Sequence, residues 1–113
     1  MPIISIPLND VVDWGTFHDV CARVLGFPAY YGRNMDAWVD CLTYADAPGA
    51  NMVGPAIVVR EGDILTLELS DASAFAARCA EQYAALIECS AFVNWRRIRS
   101  GKRPILALSF AMQ

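Results

Sequence analysis

The last apolar segment of the chain, residues 105–110, constrains the fold more than any other feature. It reads Ile-Leu-Ala-Leu-Ser-Phe and is apolar almost without a break. Strands of this kind are typical of parallel sheets covered by helices, whereas strands with one solvated face alternate polar and apolar residues. Pro104 precedes the segment, at a position where the missing N–H of proline is tolerated. The pattern predicts a parallel strand in an α/β domain.

Strand-like and helix-like segments alternate along the rest of the chain in the order β-α-α-β-β-α-α-β. This order is typical of a small α/β domain with right-handed crossovers. Two strand segments meet at Glu61-Gly62-Asp63, which predicts a hairpin. The last helical pattern is long for a small domain, so we expect a break near residues 80–82. Strand patterns cover residues 3–7, 56–59, 64–69 and 105–110, and helical patterns cover residues 13–25, 35–43 and 70–99.

Length and composition indicate a single domain over residues 1–113, with 56% hydrophobic residues to form one core. No run of eighteen uncharged apolar residues occurs, so we expect no membrane span. No basic residue precedes Arg23, which argues against a signal peptide and favours a cytoplasmic protein.

The four cysteines lack C-x-x-C spacing, and His18 is the only histidine that could join them at a metal site. This pattern predicts core thiols and no metal or other cofactor.

Charge is divided unevenly along the chain. Residues 1–95 hold all twelve acidic residues and four arginines, for a net charge of −8, whereas residues 96–113 hold five basic residues and no acid. An acidic body disfavours direct binding of nucleic acid. The basic stretch 96–103 lies at the end of a helix, where it complements the helix dipole and aids solubility. A nucleic-acid patch at this stretch is the less favoured alternative.

The stretch Tyr30–Tyr44, YYGRNMDAWVDCLTY, differs from the rest of the chain. Asn34 is a good N-cap, and an apolar stripe predicts a helix of two to three turns after it. Asp36 and Asp40 lie one turn apart beside that stripe and face outwards, where like charges repel by a few tenths of a kcal/mol. The loop that follows, residues 44–55, is long enough to be either mobile or functional.

Three interpretations of Asp36 and Asp40 follow from the residues. The simplest is a solvated polar face. A second is an acid–base pair for glycoside hydrolysis, which two acids on adjacent turns of one exposed helix suit poorly. A third is recognition, in which a rigid helix presents carboxylates to arginine or lysine of a partner beside Tyr30 and Tyr31 as aromatic anchors. The helix and the tyrosines together favour recognition.

The fourteen residues Tyr30–Thr43 resemble the signature of the barstar family, the small intracellular inhibitors of barnase-type ribonucleases. The shared pattern is a tyrosine pair, Gly, any residue, Asn, an apolar residue, Asp-Ala, two apolar or aromatic residues and Asp-Cys-Leu-Thr. A strand and a helix that ends in Leu-Gly-Phe-Pro precede the stretch, as in the family. The resemblance implies a barstar-like α/β fold: a small, mainly parallel three-stranded sheet covered by helices, here with an extra hairpin strand at 56–59.

The same resemblance implies an inhibitor or immunity protein of a toxin–antitoxin kind, without catalysis or a cofactor. The implied partner is an extracellular-type ribonuclease, or a similar toxin with a basic active site. Binding to a membrane or directly to a nucleic acid is not expected. Asp40 would be the main phosphate mimic, assisted by Asp36, while Tyr30 would stack near the catalytic histidine. The implied partner-binding residues are Tyr30, Tyr31, Gly32, Asn34, Asp36, Val39, Asp40, Thr43 and Tyr44.

The sequence leaves two points open. Arg33 lies inside the signature and would repel a cationic partner unless its side chain points away. A barstar-like binding module with a different protein partner, or one that self-associates, is the alternative to nuclease inhibition.

Overall fold

A computed structural model describes residues 2–55 and 57–110 of the 113-residue chain as one sheet and a set of helices packed around one core. The strands are β1 (Ile3–Ile6), β2 (Leu65–Leu69) and β3 (Leu106–Phe110), and the helices are α1 (Trp14–Leu25), α2 (Met35–Thr43), α3 (Ala72–Arg78) and α4 (Ala80–Arg99). A short 3-10 turn, Leu8–Asp10, joins β1 to α1. No helix of the described residues is long and apolar enough to cross a bilayer.

The sheet is fully parallel, in the order β1-β2-β3, as predicted for the α/β class. Its inner face is apolar because Leu65, Leu67 and Leu69 alternate towards the core, where all three are fully buried. The opposite face carries Ser5, Glu68 and other exposed residues. Helices therefore cover one face and not both. Sequential strand order explains this, because two crossovers of the same hand place both pairs of helices on the same side.

The extra hairpin strand predicted at 56–59 is wrong for the residues that the structure describes. Residues 57–60 form no strand, and Ala56 lies outside the described residues. Ile57 and Val59 are buried while Val58 is exposed, which produces the strand-like alternation. A hairpin would need an edge of β2, yet β1 and β3 already occupy both of its edges.

The helices begin and end where local chemistry requires. At the start of α1, Asp13 accepts from the Thr16 N–H at 2.9 Å in a capping box. Gly26 ends α1 at φ +67°, and a Cβ there would overlap the carbonyl oxygen of Gly54. The break predicted near 80–82 is found at Cys79, between α3 and α4.

Loop 44–55 is held against the body. The Gly54 N–H donates to the Leu25 carbonyl at 3.1 Å, and Met52 and Val53 pack against the core. Three of the four cysteines are buried and Cys89 is half-buried, all as free thiols, which confirms their prediction as core residues.

Candidate partner-binding face

The candidate partner-binding face is the outward side of α2 together with the turn before it, residues 30–34. Asn34 caps α2 as predicted, because its Oδ1 accepts from the Ala37 N–H at 2.8 Å. Trp38 and Leu42 are fully buried and fix how the helix is rotated on the body. As a consequence Asp36 and Asp40 both point outwards and are exposed. The helix thus presents two carboxylates on a rigid support.

Asp40 is already paired within the chain. Arg96 of α4 donates from Nη1 to Asp40 Oδ1 at 2.8 Å, while the Asp40 side chain remains 60% exposed. Hydrogen bonding to Asp40 raises the pKa of Arg96, and the Tyr44 hydroxyl contributes in the same direction. The chain therefore supplies one cation beside its principal candidate carboxylate. Sequence reasoning missed this pair because 56 positions separate the two residues.

Arg33 turns away from the two acids. The residue adopts φ +57°, and its Nη1 donates to Asp19 of α1 at 2.6 Å. Its Nη2 also donates to the Gly15 carbonyl at 3.1 Å. These contacts fasten the turn before α2 to α1. They answer the question that the sequence left open, since the guanidinium does not lie on the α2 face.

The two tyrosines of the signature occupy different environments. Tyr30 is 74% exposed, whereas Tyr31 is half-buried with its ring 4.7 Å from that of Phe27. The Tyr31 hydroxyl lies 2.6 Å from His18 Nδ1. The hydroxyl donates this hydrogen bond when the imidazole hydrogen is on Nε2. Burial raises the pKa of Tyr31, so its O–H is retained. Tyr30 is thus available to a partner, and Tyr31 shapes the turn from below.

The remaining predicted partner-binding residues also differ in accessibility. Gly32 and Tyr44 are exposed, and Lys102 lies over the Tyr44 ring at 5.9 Å from its centroid. Val39 is 4% and Thr43 is 6% exposed, and the Thr43 hydroxyl donates to the Val39 carbonyl at 2.7 Å. In this conformation neither Val39 nor Thr43 offers its side chain to a partner. Both instead hold α2 in place.

The family assignment rests on most of the chain and not on the signature alone. A family model described as "Barstar (barnase inhibitor)" matches residues 1–102, which include both helices of the first crossover, the central strand and α4. The chain belongs to the barstar family. None of the curated proteins compared with it matches. The family description is that of an inhibitor and not of a catalyst.

In this barstar-family chain the basic stretch 96–103 is divided among several roles. Arg97 is only 4% exposed and forms a bidentate pair with Asp46, with both N–O distances 2.9 Å. It also donates to the Thr43 carbonyl at 2.8 Å, so it ties α4 to the end of α2. Arg97 is therefore structural, a role that the sequence analysis did not assign to any residue of this stretch.

Three cavities among the described residues do not gather the two acids into a cleft. Cavities of about 780, 320 and 400 Å³ lie beside loop 44–55, at the end of α4 and between α1 and the turn 30–34, and neither Asp36 nor Asp40 lines them. Hydrolysis by paired carboxylates needs both acids to face one substrate across a site. Among the described residues, no cluster of histidine, cysteine, aspartate and glutamate could hold a metal ion. The outward display of both acids on α2 suits contact with a cationic surface of a partner.

His18 lies on the inner side of α1. It is 4% exposed and contacts Trp14, Phe17 and Tyr31. Burial lowers the pKa of His18, and the charge of Arg33 acts in the same direction. The only histidine of the chain therefore supports the turn that carries Tyr30.

Proposed function

We propose that this chain inhibits a barnase-type ribonuclease by laying α2 and the turn 30–34 over the basic active site. The observation that carries the proposal is the outward display of Asp36 and Asp40 on a capped, rigid helix, with Arg33 drawn away by Asp19. Carboxylates held in this way stand in for the phosphates of an RNA substrate. The family description supports the same assignment.

The proposed roles follow from accessibility. Asp40 meets the basic groups of the nuclease, and Asp36, one turn away, contacts a second cation. Tyr30 provides a large aromatic surface that loses little conformational entropy on binding. Gly32 lacks a side chain, which permits close approach of the backbone, and Tyr44 borders the other end of the face.

Arg96 adds a requirement that the sequence did not predict. Since Arg96 already occupies one side of Asp40, the nuclease must approach from the side of the carboxylate that remains exposed. A partner that carries an acid next to its cationic site would satisfy Arg96 at the same time. Complementary pairs of this kind contribute to specificity as well as to affinity.

The test is stoichiometric inhibition of a barnase-type ribonuclease in an RNA cleavage assay. We expect the wild-type chain to abolish cleavage near one molecule per nuclease and Asp40→Ala to weaken inhibition by about tenfold or more, because a cation of the nuclease is left unpaired. Asp36→Ala should have a smaller effect in the same direction.

Glu68→Ala is the matched control, because Glu68 is an exposed carboxylate on the open face of the sheet. It removes the same charge from the chain and should leave inhibition unchanged. Equal losses in Asp40→Ala and Glu68→Ala would show that only net charge matters and would refute the phosphate-mimic role.

A further inference from the structure

The outward face of α4 exposes three large apolar side chains. Phe92, Trp95 and Ile98 are 47%, 55% and 55% exposed. The rings of Phe92 and Trp95 are stacked, with centroids 5.7 Å apart and planes 14° from parallel. Contiguous exposed apolar residues of this kind mark interaction surfaces. Because the ring pair is already ordered, burying it costs little further conformational entropy.

Charged residues flank the ring pair in a defined order. Glu88 precedes it by one turn and Arg99 follows it by one turn, and both are exposed. The four residues 88, 92, 95 and 99 fall within about 60° on a helical wheel, so they form one seam along α4. Arg99 lies 5.7 Å from the Trp95 ring centroid and has no carboxylate within ion-pair distance among residues 2–55 and 57–110.

The seam is complementary to itself when it is reversed. Phe92 and Trp95 lie equally far from the midpoint between Val93 and Asn94, and so do Glu88 and Arg99. If a second α4 is placed antiparallel about that midpoint, each Phe92 faces a Trp95 of the other copy. Each Glu88 then faces an Arg99 of the other copy. A two-fold interface requires this reciprocity, in which residue i contacts j and j contacts i.

We propose that α4 binds α4 of a second copy of this chain, antiparallel and two-fold symmetric, through the seam Glu88, Phe92, Trp95 and Arg99. Ring packing at the centre supplies the apolar burial, and the two Glu88–Arg99 pairs at the ends set the register. With only two aromatic residues from each copy the interface is small. The Kd of the dimer is therefore expected to be about micromolar or weaker.

The seam adjoins the acidic face of α2. Arg96, the residue after Trp95, donates to Asp40 of α2 at 2.8 Å, so this part of α4 lies beside the acidic face. A second copy on α4 would therefore stand next to α2 and hinder a partner that approaches it. The pairing does not rest on the proposed nuclease inhibition, because it needs only the chain itself.

Sedimentation equilibrium of the full chain, from low micromolar to near millimolar concentration, tests the proposal. The wild type should show a monomer–dimer equilibrium, and Trp95→Asp should be monomeric throughout. Val58→Asp is the control, because Val58 is 59% exposed but lies outside α4. It should dimerise as the wild type does. Circular dichroism of each variant confirms that it is folded.

Charge exchange tests the register. Glu88→Arg alone and Arg99→Glu alone should each weaken dimerisation by about tenfold, since each creates two like-charged pairs in a two-fold interface. The double variant Glu88→Arg with Arg99→Glu should restore wild-type dimerisation. A double variant no better than the singles would refute this register.

Three further results would overturn the proposal. The first is a wild-type chain that stays monomeric over the whole series. The second is a dimer that Trp95→Asp leaves intact. The third is a chain that is monomeric alone but binds vesicles of anionic lipid through Trp95, which would assign the face to a membrane surface.

Discussion

At the scale of single residues, the pair Asp40–Arg96 decides how the candidate face behaves. A carboxylate with a cation at 2.8 Å is ordered, and part of its charge is neutralised before any partner arrives. Order favours binding, because less side-chain entropy is lost, whereas neutralisation slows attraction of a basic partner. The two effects can be measured separately, because attraction changes the association rate and order changes the dissociation rate.

Replacement of Arg96 by glutamine should accelerate association with a barnase-type ribonuclease. A unit charge at about 7 Å from an approaching cation costs about 0.6 kcal/mol in water, so the association rate should rise about threefold at low salt and converge with wild type at high salt. Stopped-flow mixing measures this rate. Arg23→Gln is the control, because Arg23 is an exposed arginine on α1, and an equal acceleration in both variants would contradict the local role of Arg96.

His18 should make stability fall on mild acidification. Burial holds its pKa below the ordinary value of 6.5, so below that pH the unfolded chain binds more protons than the folded chain does. The free energy of unfolding should therefore be highest above pH 6.5, where His18 is neutral in both states, and should decline as the pH falls towards 5. Urea unfolding between pH 5 and 7 measures the trend.

His18→Gln is the control for this trend, because His18 is the only histidine and no other side chain normally titrates in this range. Its unfolding free energy should be nearly independent of pH there. A wild-type stability that stays level or rises on acidification would contradict the account of His18.

At the scale of elements, the helices and the parallel strands could be predicted because each has a strong local pattern. Asn34 and the apolar stripe after it set the start of α2, and the unbroken run 105–110 contains β3. The hairpin at 56–59 was wrongly predicted for a physical reason. The β-branched run Ile57-Val58-Val59 favours a strand, but it does not report whether a free strand edge exists to pair with.

Arg97 shows what a local pattern does not contain. In sequence it is one of five basic residues near the end of α4, yet it is buried and paired with Asp46. Asp46 is separated from Arg97 in sequence by β2 and α3, so no spacing rule finds this pair. The same applies to Asp40 and Arg96, whereas the outward direction of Asp36 and Asp40 could be predicted from the helical period alone.

Arg97→Ala should destabilise the fold by about 3–5 kcal/mol, because it leaves Asp46 buried without its cation. The variant also loses hydrogen bonds to the carbonyls of Thr43 and Arg103. Equilibrium urea unfolding measures the change. Arg99 is an exposed arginine two residues later on α4, and Arg99→Ala should cost less than about 1 kcal/mol. Equal losses in the two variants would contradict the structural role of Arg97.

At the scale of the whole molecule, the uneven charge of the sequence does not become two separate poles. Arg96 and Lys102 from the basic stretch lie beside Asp40 and Tyr44 of α2, so acids and bases meet on adjoining helices. Helices occupy one face of the sheet, and the other face stays open with Ser5 and Glu68 exposed. The two partner surfaces that we propose, α2 with its preceding turn and the outward side of α4, both lie on the helical side of the molecule.

The central claim is that α2 occupies the site where a ribonuclease holds the phosphate of its substrate. Equilibrium binding of the chain to a barnase-type ribonuclease, measured at increasing concentrations of a 3′-mononucleotide, tests this directly. If the claim is right, nucleotide and chain exclude each other, and the apparent Kd of the chain rises in proportion to the nucleotide concentration. An apparent Kd that does not change, with nucleotide and chain bound to the same nuclease molecule, would contradict it.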